Sequence, residues 1–313
     1  MGALTAPFAA PFMSRALIEM ALLALVCGPV SVFVFVRRMS FVADALTHTV
    51  FPGVVIGFGV AGANGIFGGA LAAGVVTAVV LTLLTRGGRL SDDASTAVVL
   101  TAMFSLGVVL VSRRSSYTTD LTTFLFGRIL TVTQQQLVQT AVLAVVILAL
   151  LAVGARALVF RAFDEAAARA AGFRSTLLDL WLNVLVALVV VAAVRAVGTV
   201  LVIALLIVPA AFARLLTDRL LVMAAVGTAV TFVAGYLGLY VSWSASIDYG
   251  WRLTSASAVV LVLVLAYVVA LPVGLTRGRR SRQPAVDPSC HGQVPGTSEL
   301  IDGHERMRKV GTS

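Results

Sequence analysis

Residues 41–62 read FVADALTHTVFPGVVIGFGVAG. Apart from Asp44 and His48 the stretch is apolar or small, and it has the length of about 20 residues that a helix needs to cross the hydrocarbon core of a bilayer. The same signature recurs near 16–36, 66–85, 94–112, 137–158, 176–195, 197–214, 219–241 and 255–275, so the sequence predicts nine spans. All are rich in alanine, valine and leucine. No segment pattern of alternating apolar and polar residues recurs, which argues against a transmembrane barrel. The expected fold class is all-α, a polytopic membrane protein.

Composition agrees. With 59% hydrophobic and 12% charged residues among 313, and a mean hydropathy of +1.02, there is more apolar surface than one soluble core can hide. The two cysteines, Cys27 in an apolar run and Cys290 near the end, are too few and too differently placed for a disulfide framework. A net charge of +9 fits anchoring at the cytoplasmic face, and no nucleic-acid partner is expected.

The basic residues also orient the chain. With the N-terminus outside, 17 of the 23 lysines and arginines fall on the inner side, among them Arg37, Arg38, Arg86, Arg161, Arg169 and Arg174. Six fall outside, Arg195 among them. This bias predicts an outer N-terminus and a cytoplasmic C-terminus. The first apolar run lacks a basic n-region and ends in Arg37-Arg38, the flank of a retained helix and not of a cleaved signal peptide. The expected organisation is a short outer segment 1–14, a transmembrane domain 15–275 and a polar tail 276–313. The tail is rich in Pro, Gly and Ser and reads as disordered, with Cys290, His291 and His304 in a solvated segment. The outer stretches 113–136 and SWSASIDYGWRLTS (242–255) offer surface for a docking protein.

On the inner side, FDEAAARAAGFRST (163–176) reads as a short helix outside the membrane. Asp164 and Glu165 suit its start and Gly172 its stop. Such a helix is either a connector or a docking surface.

Asp44 and His48 are four residues apart, hence one turn apart on one helical face. Near the middle of a span, an aspartate or histidine costs on the order of several kcal/mol unless it faces protein or water and finds a partner. The residues themselves leave three readings open. The pair is polar glue within the helix, or a proton relay, or a set of oxygen and imidazole ligands suited to manganese, zinc or ferrous iron. Pro52 removes the N–H that would bond the carbonyl of His48, and Pro209 does the same to Leu205, so both mark bends. Two ligands do not complete a metal shell. Cys27, Glu19, Asp179, Asn183, Thr47, Thr49, water or a second copy of the chain are further sources.

Five stretches, in order, resemble the ABC-3 permeases, the membrane subunits of importers for manganese, zinc or iron. They are RRMSFVADALTHTVFPGVVIGF (37–58), LSDDASTAVVLTAMFSLGVVLVS (90–112), DLTTFLFGRILTV (120–132), FDEAAARAAGF (163–173) and VGTVLVIALLIVPAAFARLLTDRL (197–220). The resemblance implies a type II-like importer in a bacterial plasma membrane. It implies a homodimer of permeases, two copies of a cytoplasmic ATP-binding subunit, and an extracytoplasmic metal-binding protein. It places Asp44 and His48 on the translocation path, with the divalent metal as cargo and no resident cofactor. It makes Phe163, Asp164, Glu165, Arg169 and Gly172 part of the coupling helix that enters the ATPase. The sequence agrees with that division of labour: its single lysine, Lys309, follows no GxxxxGK[ST] motif, so the chain has no P-loop of its own. The same buried pair would also serve a proton-coupled secondary transporter acting alone. A membrane metalloprotease would need a motif such as HExxH, which DALTH does not provide.

Overall fold

The first described helix begins at a proline, Pro11, a residue whose fixed φ suits the first turn. This helix, α1 (Pro11–Val36), ends in a tight turn. There Arg38 takes φ 55°, the one positive φ at a non-glycine among the described residues, and the Met39 N–H donates to the Val34 carbonyl at 2.9 Å. The computed structural model describes residues 8, 10–86, 91–112, 127–248 and 254–280, and among these all regular structure is helical.

The stretch 41–62 follows as two helices, α2 (Ser40–Thr49) and α3 (Phe51–Ala61), with Pro52 in the first turn of the second. The interruption falls at Val50, two residues after His48. Gly62, at φ 60°, reverses the chain into α4 (Gly65–Arg86). The α3–α4 hairpin is unusually close. Cβ atoms built on Gly53 and Gly57 would lie 2.2 Å from the carbonyl oxygens of Gly69 and Gly65, and the reciprocal positions are equally tight. Without hydrophobic drive between helices in lipid, such glycine contacts let backbones pack directly.

Next come α5 (Asp92–Ser112), opening with two aspartates that complement the helix dipole, and α6 (Gln134–Phe163). Thr133 caps α6 in a reciprocal capping box with Gln136. The short α7 (Glu165–Ala170) leads to α8 (Ser175–Leu216), α9 (Leu220–Asp248) and α10 (Ser255–Arg280).

Eight helical stretches are long and apolar enough to cross a membrane, with α2 and α3 counting together as one. The 42 residues of α8 would extend about 63 Å if straight, twice the ~30 Å hydrocarbon core. They are not straight: Gly198 is non-helical, at φ 78° and ψ 166°. Asp179, near the start of α8, bonds Arg37 at the end of α1. Ala210 and Ala213, near its other end, share a buried cluster with Val32 of the same part of α1. Both ends of α8 therefore lie beside one end of α1, and the element folds back at Gly198. Counting it twice recovers the two spans expected at 176–195 and 197–214, and nine crossing segments among the described residues. The fold-back sits at Gly198; around Pro209 the helix continues.

Crossing segments in series put successive turns at opposite ends. One end gathers the α1–α2 turn with the α6–α8 connection, through bonds from Arg37 and Arg161 to Asp179. The other gathers the fold-back with residues 127–131: the Arg128 N–H donates to the Ala196 carbonyl at 3.0 Å. Inside, hydroxyls return to their own helices, as Thr82 to Ala78, Thr96 to Asp92 and Thr231 to Gly227. This leaves few polar groups facing lipid.

Contacts divide the chain into units of 1–274 and 275–313. Of the second, residues 275–280 are described and continue α10 five residues beyond the boundary expected at 275. The rest of the expected tail, with Cys290, His291 and His304, lies outside the described residues, as do 113–126 and 249–253 of the expected outer docking stretches.

Candidate functional site

Helix α2 buries Ala43, Ala45, Leu46, Thr47 and Thr49, while Asp44 and His48 occupy its more open stripe with Phe41. The His48 Nε2 and Asp44 Oδ1 atoms are 3.7 Å apart, with side chains 23% and 35% exposed respectively. That separation is too long for a hydrogen bond but within reach of a shared ion. His48 Nδ1 is buried and has no hydrogen-bond partner. Phe104 of α5 sets its edge against the imidazole at 5.6 Å between centroids and also contacts Phe51. One wall of the pair is thus apolar. About 12 Å of helix separates Ser40 from His48, which sets the imidazole well into the span.

The other candidate ligands are engaged elsewhere. Thr47 and Thr49 donate to the backbone carbonyls of Asp44 and Leu46. Asn183 donates to the Thr82 hydroxyl at 2.9 Å. Cys27 is buried in the core. Glu19, fully buried, accepts a hydrogen bond from Thr140 at 2.8 Å, and nearby Arg195 donates to Gln139 at 2.9 Å and lies over the Phe67 ring. Asp179 accepts from Arg37 at 2.5 Å and from Arg161 at 2.9 Å. Among the described residues no group of three or more His, Cys, Asp or Glu side chains converges. Among the described residues Asp44 and His48 stand as a pair, without a hydrogen bond to a side chain from another helix.

The segment 163–173 forms a second feature. The Asp164 carboxylate caps α7 by accepting from the Ala167 N–H at 2.8 Å. Gly172 takes φ 86°, and the Phe173 N–H returns to the Ala168 carbonyl, closing the helix with a left-handed residue. Phe163 is 70% exposed, a large apolar side chain offered to a partner or to lipid. Phe173 packs edge-on against Phe160. Arg169 lines an open hollow together with Arg86, Phe173, Arg174 and the first residues of α8.

The structure thus holds an ionisable pair inside one span and a short capped helix between α6 and α8. The family model for the ABC 3 transport family matches residues 9–274. The chain belongs to the ABC 3 transport family. It is 34% identical over 259 residues to the manganese transport system membrane protein MntC of Listeria monocytogenes, covering 83% of this chain and 89% of that protein. A probable iron transport system membrane protein of Haemophilus influenzae is 29% identical over 261 residues, 83% of this chain and 95% of the relative. The structure of PsaBC from Streptococcus pneumoniae in complex with Fab superposes with a TM-score of 0.75 at 29% identity, over 86% of this chain and 94% of that one. This ABC 3 family member is a transport subunit, and its polytopic all-helical fold is the one expected from its sequence.

Two features escaped the reading of its sequence. Asp179 stood among possible metal ligands, whereas it joins two arginines from other helices. The available signal was that Arg37, Arg161 and Asp179 all fall near span ends expected on one side. The placement of Phe104 against His48 left no such signal.

Proposed function

We propose that this chain is the permease subunit of an ATP-driven importer for a divalent transition metal, with manganese as the first candidate and iron or zinc as alternatives of similar ligand demand. Asp44 and His48 bind the ion in passage. The observation that carries this reading is the open stripe of α2. An aspartate and a histidine one turn apart, about a quarter to a third exposed, do not face acyl chains without heavy cost. They therefore face water or a second protein surface. A second copy of the chain, meeting the first along this stripe, would double the ligands to two carboxylates and two imidazoles. A shell completed by water would hold the ion weakly enough to release it.

The segment Phe163–Phe173 docks on a cytoplasmic ATP-binding subunit, two copies per dimer, and an extracytoplasmic binding protein delivers metal at the opposite end. The N-terminus lies outside and the C-terminus inside, in a bacterial plasma membrane. The manganese name of a relative at 34% identity supports the choice of cargo.

The test is manganese uptake by vesicles containing the complete complex. His48→Ala should abolish uptake while the permease still co-purifies with its ATPase, and unchanged uptake removes the ligand role. Uptake driven by a proton gradient in vesicles holding this chain alone would instead establish the secondary transporter.

A further inference from the structure

The carboxylate of Asp179 is shared. Its Oδ1 accepts from Arg37 Nη2 at 2.5 Å and its Oδ2 from Arg161 Nη2 at 2.9 Å. The Arg161 side chain is 7% exposed and that of Arg37 19%, so both pairs sit largely out of solvent, where charge pairing is strong and a lost partner is costly. The three residues come from three helices at defined places. Arg161 is two residues before the end of α6 and Asp179 is in the second turn of α8, so their bond closes the base of the segment 162–178 that carries α7. Arg37 caps α1 and opens the three-residue turn into α2. That turn is tight, held by the Arg38 N–H on the Phe35 carbonyl and the Met39 N–H on the Val34 carbonyl. Asp44 follows in the second turn of α2.

We infer that Asp179 is the positioning residue that links the segment carrying α7 to the α1–α2 turn, and thereby to Asp44 and His48. The inference rests on the reading of α7 as the ATPase dock and of Asp44 and His48 as the ion path. A displacement of 162–178 has a direct route through this carboxylate. Its Oδ2 moves with Arg161 and the base of the α6–α8 connection, and its Oδ1 draws on Arg37 and the start of α2. The turn from Arg37 to Met39 has little slack to absorb the motion. One carboxylate accepting from two guanidinium groups also makes the link sensitive to removal, because Asp179→Asn takes the shared charge from both pairs at once.

The experiment uses the full complex in vesicles and measures ATP hydrolysis and manganese uptake together, as ions moved per ATP. Asp179→Asn should keep assembly and hydrolysis but lower that ratio at least about fivefold, the lower range of ordinary inter-site coupling. Asp179→Glu, which restores the shared anion, should recover most of it. Adding Arg37→Gln to Asp179→Asn should cause little further loss, because both remove one joint. A wild-type ratio in Asp179→Asn overturns the inference. If that variant does not assemble, Arg37→Lys and Asp179→Glu are read by the same ratio against their thermal stability. A ratio that merely follows stability also overturns it. Asp164→Ala and Arg169→Ala separate this inference from its premise. Normal coupling in those two beside uncoupling in Asp179→Asn refutes the dock alone. The opposite pattern refutes the joint alone.

Discussion

Replacing Gly57 by alanine tests the close α3–α4 hairpin, on which the position of the α2–α3 span depends. The added Cβ would lie 2.2 Å from the Gly65 carbonyl oxygen and 2.9 Å from its carbonyl carbon. Both are backbone atoms, so no side-chain rotation relieves the contact. An ordinary carbon–oxygen contact needs about 3.3 Å, so the two helix backbones must separate locally by roughly 1 Å. Overpacking of this kind costs typically about 1–3 kcal/mol. Alanine is the better helix former by at most about 1 kcal/mol, so the net expectation is destabilisation on the order of 1–2 kcal/mol.

Gly68 supplies the control. It sits in α4, is exposed, and a Cβ built on it meets nothing within 4 Å. Gly68→Ala adds the same methyl with the same helical preference and no clash, so it should be neutral or slightly stabilising. The assay is unfolding of the purified protein in detergent, comparing the two variants with the parent. The difference between them isolates the backbone contact from helix propensity. If Gly57→Ala is as stable as Gly68→Ala, the hairpin is not packed backbone to backbone and the account of these glycines fails.

Gly198→Ala places a side chain at φ 78° and ψ 166°, a region reserved for glycine, and should cost about 1–3 kcal/mol in the same unfolding assay. A variant of parental stability would mean that α8 does not fold back there. Thr140→Val removes the hydroxyl that donates to the buried carboxylate of Glu19 and should destabilise by about 1–3 kcal/mol, because the acceptor loses that partner. Thr140→Ser, which keeps the hydroxyl, should restore most of the loss, and equal effects of the two would assign the cost to packing instead.

The spans were legible because lipid demands length and apolarity, both of which a sequence displays directly. Even the division of α8 was legible, since 176–195 and 197–214 read as separate spans although the helix is continuous on either side of Gly198. Partners of polar side chains are a different matter, because they depend on which helices become neighbours. Glu19, Asp179 and Asn183 looked alike in sequence, each a polar residue in or beside an apolar run. The fold separates them: Glu19 meets Thr140 across α1 and α6, Asn183 meets Thr82 across α8 and α4, and Asp179 meets two arginines. Asp44 and His48 differ from all three: among the described residues neither side chain is hydrogen-bonded to a side chain of another helix, and the two lie 3.7 Å apart. Each of those three carries a hydrogen bond to a side chain of another helix, whereas Asp44 and His48 lie on the open stripe of α2. Under the proposed function that stripe is the ion path, whereas polar glue would be expected to bond across helices as Glu19, Asn183 and Asp179 do. On that proposal the remaining ligands come from what meets the stripe, and the pair in one copy is half of the site.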